Sequence, residues 1–235
     1  MVYVEQYTVS IHHEFHYHWY DTQAQKKTIP YHFMRFSNHL LSMSSTNRSD
    51  ARSKTIADYY ITPLQDIRDF LNAFLENNSH LFATPISILD PCAWGDTNNP
   101  MSYPTVLQEF DYTDITTNDI RDDSLATHHT DFLQAWNPPN TYDMIITNPP
   151  FNLALPIIEK ALDIVKPGGY VIMLLRLNFF GSKVRYPFFQ EHMPIECYIH
   201  HKRISFAKWA TDSIEYAHFI FQKGINPPYT KTFII

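Results

Sequence analysis

The chain contains Asn-Pro-Pro three times, at Asn137-Pro138-Pro139, Asn148-Pro149-Pro150 and Asn226-Pro227-Pro228. Only one copy stands where chemistry is expected. Asn148-Pro149-Pro150-Phe151 follows the apolar run Tyr142-Asp143-Met144-Ile145-Ile146-Thr147 and precedes a helix-like stretch from Asn152 to Lys166. A buried strand ending in this turn offers two acceptors, the side-chain oxygen of Asn148 and the backbone carbonyl of Pro149. Proline lacks an N–H, fixes φ and biases its predecessor toward extended geometry. Pro149 and Pro150 together therefore hold carbonyls outward without competing donors. Such a site suits methyl transfer to a planar amino group, most simply the exocyclic amine of adenine. That nitrogen is a poor nucleophile because its lone pair is delocalised into the ring. Accepting hydrogen bonds from both amino hydrogens favours the more nucleophilic pyramidal form. Phe151 offers a ring for the base to stack on, worth about 1–3 kcal/mol per base. No strong base is required, since the nitrogen becomes acidic once methylated, so positioning and electrostatics carry the rate.

The other two copies read as plain turns, for which Asn-Pro is a common signal. Asn137 follows Phe132–Trp136 with no long strand leading into it, and Asn226 lies in a short tail with no helix after it.

The elements that must position Asn148 follow from periodicity. Strands and helices alternate from about residue 60, which implies an α/β domain with a doubly wound, mostly parallel sheet. Thr62-Pro63-Leu64-Gln65 reads as a capping box with proline at the first helical position. Behind it Leu64, Ile67, Phe70, Leu71, Phe74 and Leu75 recur at helical spacing and predict a helix over Leu64–Glu76. Pro85–Asp90 predicts a first strand closing on an acid, and Ile115–Asn118 a second closing on Asp119. Tyr103–Phe110 predicts a short helix between them. After the Asn148 strand, Leu155, Ile158, Leu162 and Val165 share a helix face, and Pro156 is tolerated in the first turn. Lys166-Pro167-Gly168-Gly169 ends that helix, and strands follow at Tyr170–Leu177, Glu196–His200 and Ile214–Phe221.

At 235 residues the chain holds one full-sized domain, catalytic over residues 46–235, with an N-terminal extension over residues 1–45. Ser42–Lys54 reads as a disordered linker, and Met43 opens a stretch that would make a natural start. The longest apolar run, Tyr170–Leu175, is too short to span a bilayer. With no secretory signal visible and two cysteines, Cys92 and Cys197, in no metal-ligand spacing, a reducing cytoplasm is the expected setting. His12, His13, His16 and His18 cluster around Glu14 in a β-like segment, so no metal site is expected there. A net charge of −6 argues mildly against a nucleic-acid partner. Its distribution does not: Leu107–Asp143 carries eight acids and one arginine, whereas Arg176–Lys208 carries six Lys and Arg against Glu191 and Glu196. A local patch of this kind attracts a polyanion.

The order Asp90-Pro91-Cys92-Ala93, Asp119-Ile120, Asp131-Phe132 and Asn148-Pro149-Pro150-Phe151 resembles the adenine-specific DNA methyltransferases that use S-adenosylmethionine. The resemblance covers roughly Tyr59 to Lys223, includes Arg203-Ile204-Ser205-Phe206 with Trp209, and points to a compact bacterial or phage form. It implies the seven-stranded, Rossmann-like sheet of class I methyltransferases. It also implies roles. Asp90, Pro91 and the loop through Gly95 would hold the methionine portion of the cofactor, with Thr62-Pro63 near its carboxylate. Asp119 would bond the ribose hydroxyls, Ile120 would pack on the cofactor adenine, Asp131 would accept from its amino group, and Phe132 would flank the ring. Asn148, Pro149, Pro150 and Phe151 would be catalytic, acting on an adenine flipped out of duplex DNA. The pattern departs at Ala93-Trp94-Gly95-Asp96, where the family's loop is glycine-rich and this chain has one glycine beside a tryptophan. Three alternatives stay open: an RNA substrate, a protein glutamine amide, and an idle fold kept as a nucleic-acid-binding subunit. Without a separate recognition domain, site recognition would fall to Asp96–Asp114, to Gly181–Lys208 or to a partner.

Overall fold

The computed structural model describes residues 61–82, 85–136, 141–206 and 213–235. The expected N-terminal extension and linker, the histidine cluster, the Asn137 turn, Lys208 and Trp209 lie outside them, as does the boundary at residue 45.

The first helix, α1, spans Leu64–Asn77 and buries Ile67, Phe70, Leu71, Phe74 and Leu75. That stripe is the helical period read from the sequence. Its start is not a capping box. Pro63 is the N-cap, no side chain caps the helix, and the Gln65 amide donates to Asp69 instead. Thr62 is 2% exposed and turned toward Asn148. The remaining helices are α2 at Ser102–Glu109, α3 at Ala154–Ile164 and α4 at Tyr186–Glu191.

Eight strands form one sheet among the described residues: β1 Ile88–Asp90, β2 Ile115–Asp119, β3 His128–His129, β4 Tyr142–Thr147, β5 Val165–Arg176, β6 Glu196–Ile199, β7 Tyr216–Gln222 and β8 Lys231–Ile234. Their order is β3-β2-β1-β4-β5-β7-β6-β8, with β7 antiparallel to both neighbours and every other pair parallel. The expectation of a doubly wound, mostly parallel α/β sheet holds, with eight strands in place of seven. The short β3 and the tail strand β8 are the two not among the six strands read from periodicity, because neither has enough apolar alternation to announce itself.

Alternate residues of the central strands face opposite layers. Ile145, Val171, Met173 and Leu175 pack with α3 and with Phe188 and Phe189 of α4. Met144, Ile146 and Ile172 pack with the apolar faces of α1 and α2. A sheet covered on both faces needs continuous apolar strands, and β4 and β5 have them. β5 also begins earlier than expected. The strand starts at Val165, directly after α3, and Lys166–Gly169 lies within it where the pairing with β4 shifts register. Gly169 permits this, since a Cβ there would stand 2.9 Å from the Asp143 carbonyl.

The topology itself places a crevice. From β1 the chain moves outward to β2 and β3, then crosses back to lay β4 on the other side of β1. In a parallel sheet such a switch leaves an opening at the carboxyl ends of the two strands. Those ends are Asp90 and Asn148.

Candidate active site

A cleft enclosing about 940 Å³ with its open solvent lies over those strand ends and is lined from the Thr62, Asp90, Asp119, Asp131 and Asn148 segments. Asp90, Pro91, Asp119, Ile120, Asp131, Phe132, Thr62, Asn148, Pro149 and Pro150 all contribute to it. Pro63, Gly95 and Phe151 are not on its wall.

At the end of β1, Asp90 is 1% exposed and accepts the Cys92 N–H at 3.2 Å. Burial pushes its carboxyl up from 3.8 to about 7, against the lowering effect of Thr147 and the Cys92 amide. The loop that follows is strapped to β2. Ala93 N–H donates to the Asn118 carbonyl at 2.9 Å, and Asn118 Nδ2 donates to the Pro91 carbonyl. Asp119 completes the strap: its Oδ2 accepts the Trp94 N–H at 3.0 Å and its Oδ1 the Arg121 N–H at 2.9 Å. Desolvation raises the Asp119 carboxyl, and these two amides work against the rise.

Trp94 and Gly95 both take positive φ, 55° and 82°. The left-handed region costs a residue with a Cβ about 1–2 kcal/mol. Trp94 tolerates it because its amide is held by Asp119 and its ring is buried, with the Arg121 guanidinium 5.7 Å from the ring centroid. The indole thus forms wall where glycine would leave space. Gly95 supplies the turn: a Cβ there would stand 2.7 Å from Met101 Cγ. Gly95→Ala is expected to lower stability by about 1–3 kcal/mol through strain and this clash, read as a drop in the urea midpoint.

Ile120 is 50% exposed at the cleft, unusual for an isoleucine, while Phe132 is 5% exposed. Asp131 Oδ1 accepts the Leu133 N–H at 2.9 Å and so starts the turn that carries Phe132. At the end of β4, Asn148 Nδ2 donates to Thr62 Oγ1 at 3.1 Å. Thr62 therefore orients the amide of Asn148 across 86 residues of chain and does not cap α1. Pro150 is extended, with φ −53° and ψ 121°. Beyond it Phe151 packs with Leu174, Ile204 and Tyr216, at 5.6 Å between ring centroids from Tyr216, with the Arg176 guanidinium 4.7 Å from its own.

Several wall residues carried no signal in the sequence, among them Ser102, Tyr103, Arg121, Thr130, Leu133 and Ile157. Tyr103 is instructive. Its hydroxyl bonds His218 Nε2 at 2.8 Å, and His218 Nδ1 bonds His200 Nε2 at 3.0 Å. Burial depresses both imidazoles, His200 to about 4, so the chain of polar groups is neutral and fastens the cleft to β7 and β6. Cys92 lines the cleft, but burial raises its thiol well above the ordinary range, which suits packing rather than nucleophilic attack. The Asn226 copy is a staple: its Oδ1 accepts the Met193 N–H and its Nδ2 donates to the Gln190 carbonyl. Among the described residues no group of three or more His, Cys, Asp or Glu could hold a metal, and no helix is long and apolar enough to cross a membrane.

No family model matches the sequence, and no curated protein matches it closely enough to count. Solved structures do match in shape. A Listeria monocytogenes protein assigned as a class I S-adenosylmethionine-dependent methyltransferase superposes with a TM-score of 0.57 at 18% identity, over 78% of this chain and 68% of that one. A Pyrococcus horikoshii protein assigned as an RNA methyltransferase gives 0.53 at 16% identity, over 77% of this chain and 98% of that one. The fold is that of the class I methyltransferases. At such low identity the match speaks for architecture, and the chemistry rests on the residues in the cleft.

Proposed function

We propose that this chain transfers a methyl group from S-adenosylmethionine to the exocyclic amino group of adenine in DNA. The observation that carries the reading is the Asn148 amide at the carboxyl end of β4, fixed by Thr62 at 3.1 Å beside the Pro149-Pro150 corner. With Nδ2 committed to Thr62, the oxygen is the end of the amide suited to accept from an incoming amine.

The donor set fits the cofactor. Asp90 and the Pro91–Trp94 backbone would hold the methionine portion, Asp119 the ribose, and Ile120, Asp131 and Phe132 the adenine. Asp119 keeps lone-pair directions beyond the two that its amide bonds use. The exposed face of Ile120 gains a planar partner. Bound there, S-adenosylmethionine supplies an electrophilic methyl group whose bonding pair leaves with sulfur. Asn148 Oδ1 and the Pro149 carbonyl accept the two amino hydrogens and hold the nitrogen in line. They also stabilise the positive charge that develops on it. The proton leaves to solvent after transfer. Phe151 positions the base, with Arg176 beside it to offset the charge of the nucleotide.

Asp90 couples this binding to pH. Its carboxyl is raised from 3.8 to about 7, so the folded chain retains a proton that the unfolded chain releases, and this group's contribution to stability falls as pH rises across that window. A ligand ammonium favours the carboxylate. Cofactor affinity measured by calorimetry is therefore expected to rise from about pH 6 to about pH 8 and then level, and Asp90→Asn to flatten that profile.

Incubation with methyl-labelled cofactor and separate DNA, RNA and protein pools tests the reading. Label in DNA supports it, and label confined to RNA or protein replaces the substrate. Cofactor binding without transfer to any pool would favour the idle, nucleic-acid-binding alternative.

A further inference from the structure

The segment after β5 is built to hold an apolar tip in water. A 3-10 turn at Leu177–Phe180 follows Arg176 directly, so the segment springs from beside Phe151. Its root is fixed, since Phe179 is 6% exposed and packs edge-on against Phe189 and Phe219. Arg185, half-buried, folds back on its own loop. Its guanidinium donates to the carbonyls of Phe179 and Asn178 and lies 4.5 Å from the Phe179 ring centroid. Ser182 closes the tip, accepting the Val184 N–H on Oγ and the Tyr186 N–H on its carbonyl. The result presents Val184 at 79% exposure and Tyr186 at 63%.

A loop that commits an arginine to its own carbonyls has been given a shape, and that shape turns valine outward. Single exposed apolar residues are ordinary on flexible surfaces. Here the exposure is imposed by a preorganised frame, which lowers the ordering cost of any partner that covers it. Charge identifies the partner's class. From Arg176 to Gln190 the chain carries three basic residues and no acid, although its net charge is −6. A polyanion is drawn to that segment. The carboxyl ends of β4 and β5, the same rim of the sheet, bring the tip to the side where the Asn148 acceptors stand.

We propose that residues 181–186 form a wedge for duplex DNA: Val184, backed by Tyr186, enters the base stack where the target adenine leaves, and Lys183 meets the phosphates. Apolar wedges of this kind partially unstack a step at a cost of a few kcal/mol. This proposal rests on the nucleic-acid reading given above.

The test compares native with heat-denatured DNA of one preparation as methyl acceptors for the full chain and for Val184→Ser. Val184 is exposed, so the substitution removes no core packing, and circular dichroism checks the fold. The ratio of duplex to single-strand labelling is expected to fall about tenfold in the variant, because single strands need no unstacking. An unchanged ratio overturns the wedge while leaving methyl transfer in place. An unaltered chain that labels only single strands also overturns it, since there is then no duplex to open. A chain that labels no nucleic acid removes the functional reading and the wedge together, and intact transfer in the other outcomes keeps the two failures apart.

Discussion

Asn148→Ala is expected to reduce methyl transfer by about 10²–10³-fold, the usual effect of removing one preorganised hydrogen-bonding group from a reacting centre. The loss should fall on kcat. Asn148 accepts from the amine as charge develops, so its bond is stronger in the transition state than in the bound complex. Cofactor affinity should stay near that of the unaltered chain, because most groups assigned to the cofactor come from β1, β2, β3 and the loops after them. Truncation also leaves Thr62 Oγ1 without its 3.1 Å partner in a buried position. A stability loss of about 1–2 kcal/mol is therefore expected alongside. Single-turnover rates with calorimetry and urea unfolding separate the three effects. The matched control is Asn226→Ala. That residue ties Met193 and Gln190 together, so its replacement should lower stability by a similar amount and leave the transfer rate alone. Equal rates in the Asn148 variant and the unaltered chain would reject the site.

Asp119→Ala should do damage of a different kind, abolishing cofactor binding and weakening the fold at once. Its carboxylate accepts from the Trp94 and Arg121 amides. Leaving two such donors without an acceptor costs about 2–4 kcal/mol if neither finds water. The Trp94 backbone is in the left-handed region, and loss of the acceptor removes one of the contacts that offset that strain. The loop should relax and move the indole out of the cleft wall. Calorimetry is expected to register at least a hundredfold loss of affinity, equivalent to about 2.7 kcal/mol. Tryptophan fluorescence should shift to the red as the ring meets water. Asp119→Asn retains an acceptor oxygen and should fall between the two. A variant that binds cofactor normally would show that the strap is dispensable and that the ribose contact is misassigned.

Much of the site was legible because its residues sit at strand ends. Apolar runs closing on Asp90, Asp119 and Asn148 are local patterns, and a parallel sheet brings its carboxyl ends together without further information. Thr62 shows the limit. Thr-Pro-Leu-Gln satisfies every local rule for a helix cap, yet the hydroxyl serves a residue 86 positions away. Local propensity could not choose between these partners. Lys166–Gly169 misled for a related reason. Pro and Gly punctuate both helix ends and bulges, and only the approach of β4 to Gly169 decides which. The His200–His218–Tyr103 connection joins three elements distant in sequence, and no spacing within any one of them announces it. β8 was missed because Lys231–Ile234 is a four-residue, largely exposed edge strand, too short to show a strand period. Trp94 was conspicuous in the sequence as a departure from a glycine-rich loop. Its positive φ shows that the loop turns there through a left-handed residue that carries a side chain.

The most direct test of the central claim is nucleoside analysis of DNA treated with the purified chain and S-adenosylmethionine, digested and resolved by mass. N6-methyldeoxyadenosine is expected with the unaltered chain and its loss with Asn148→Ala. Methylation of cytosine, or methylated adenosine from RNA with none from DNA, would contradict it.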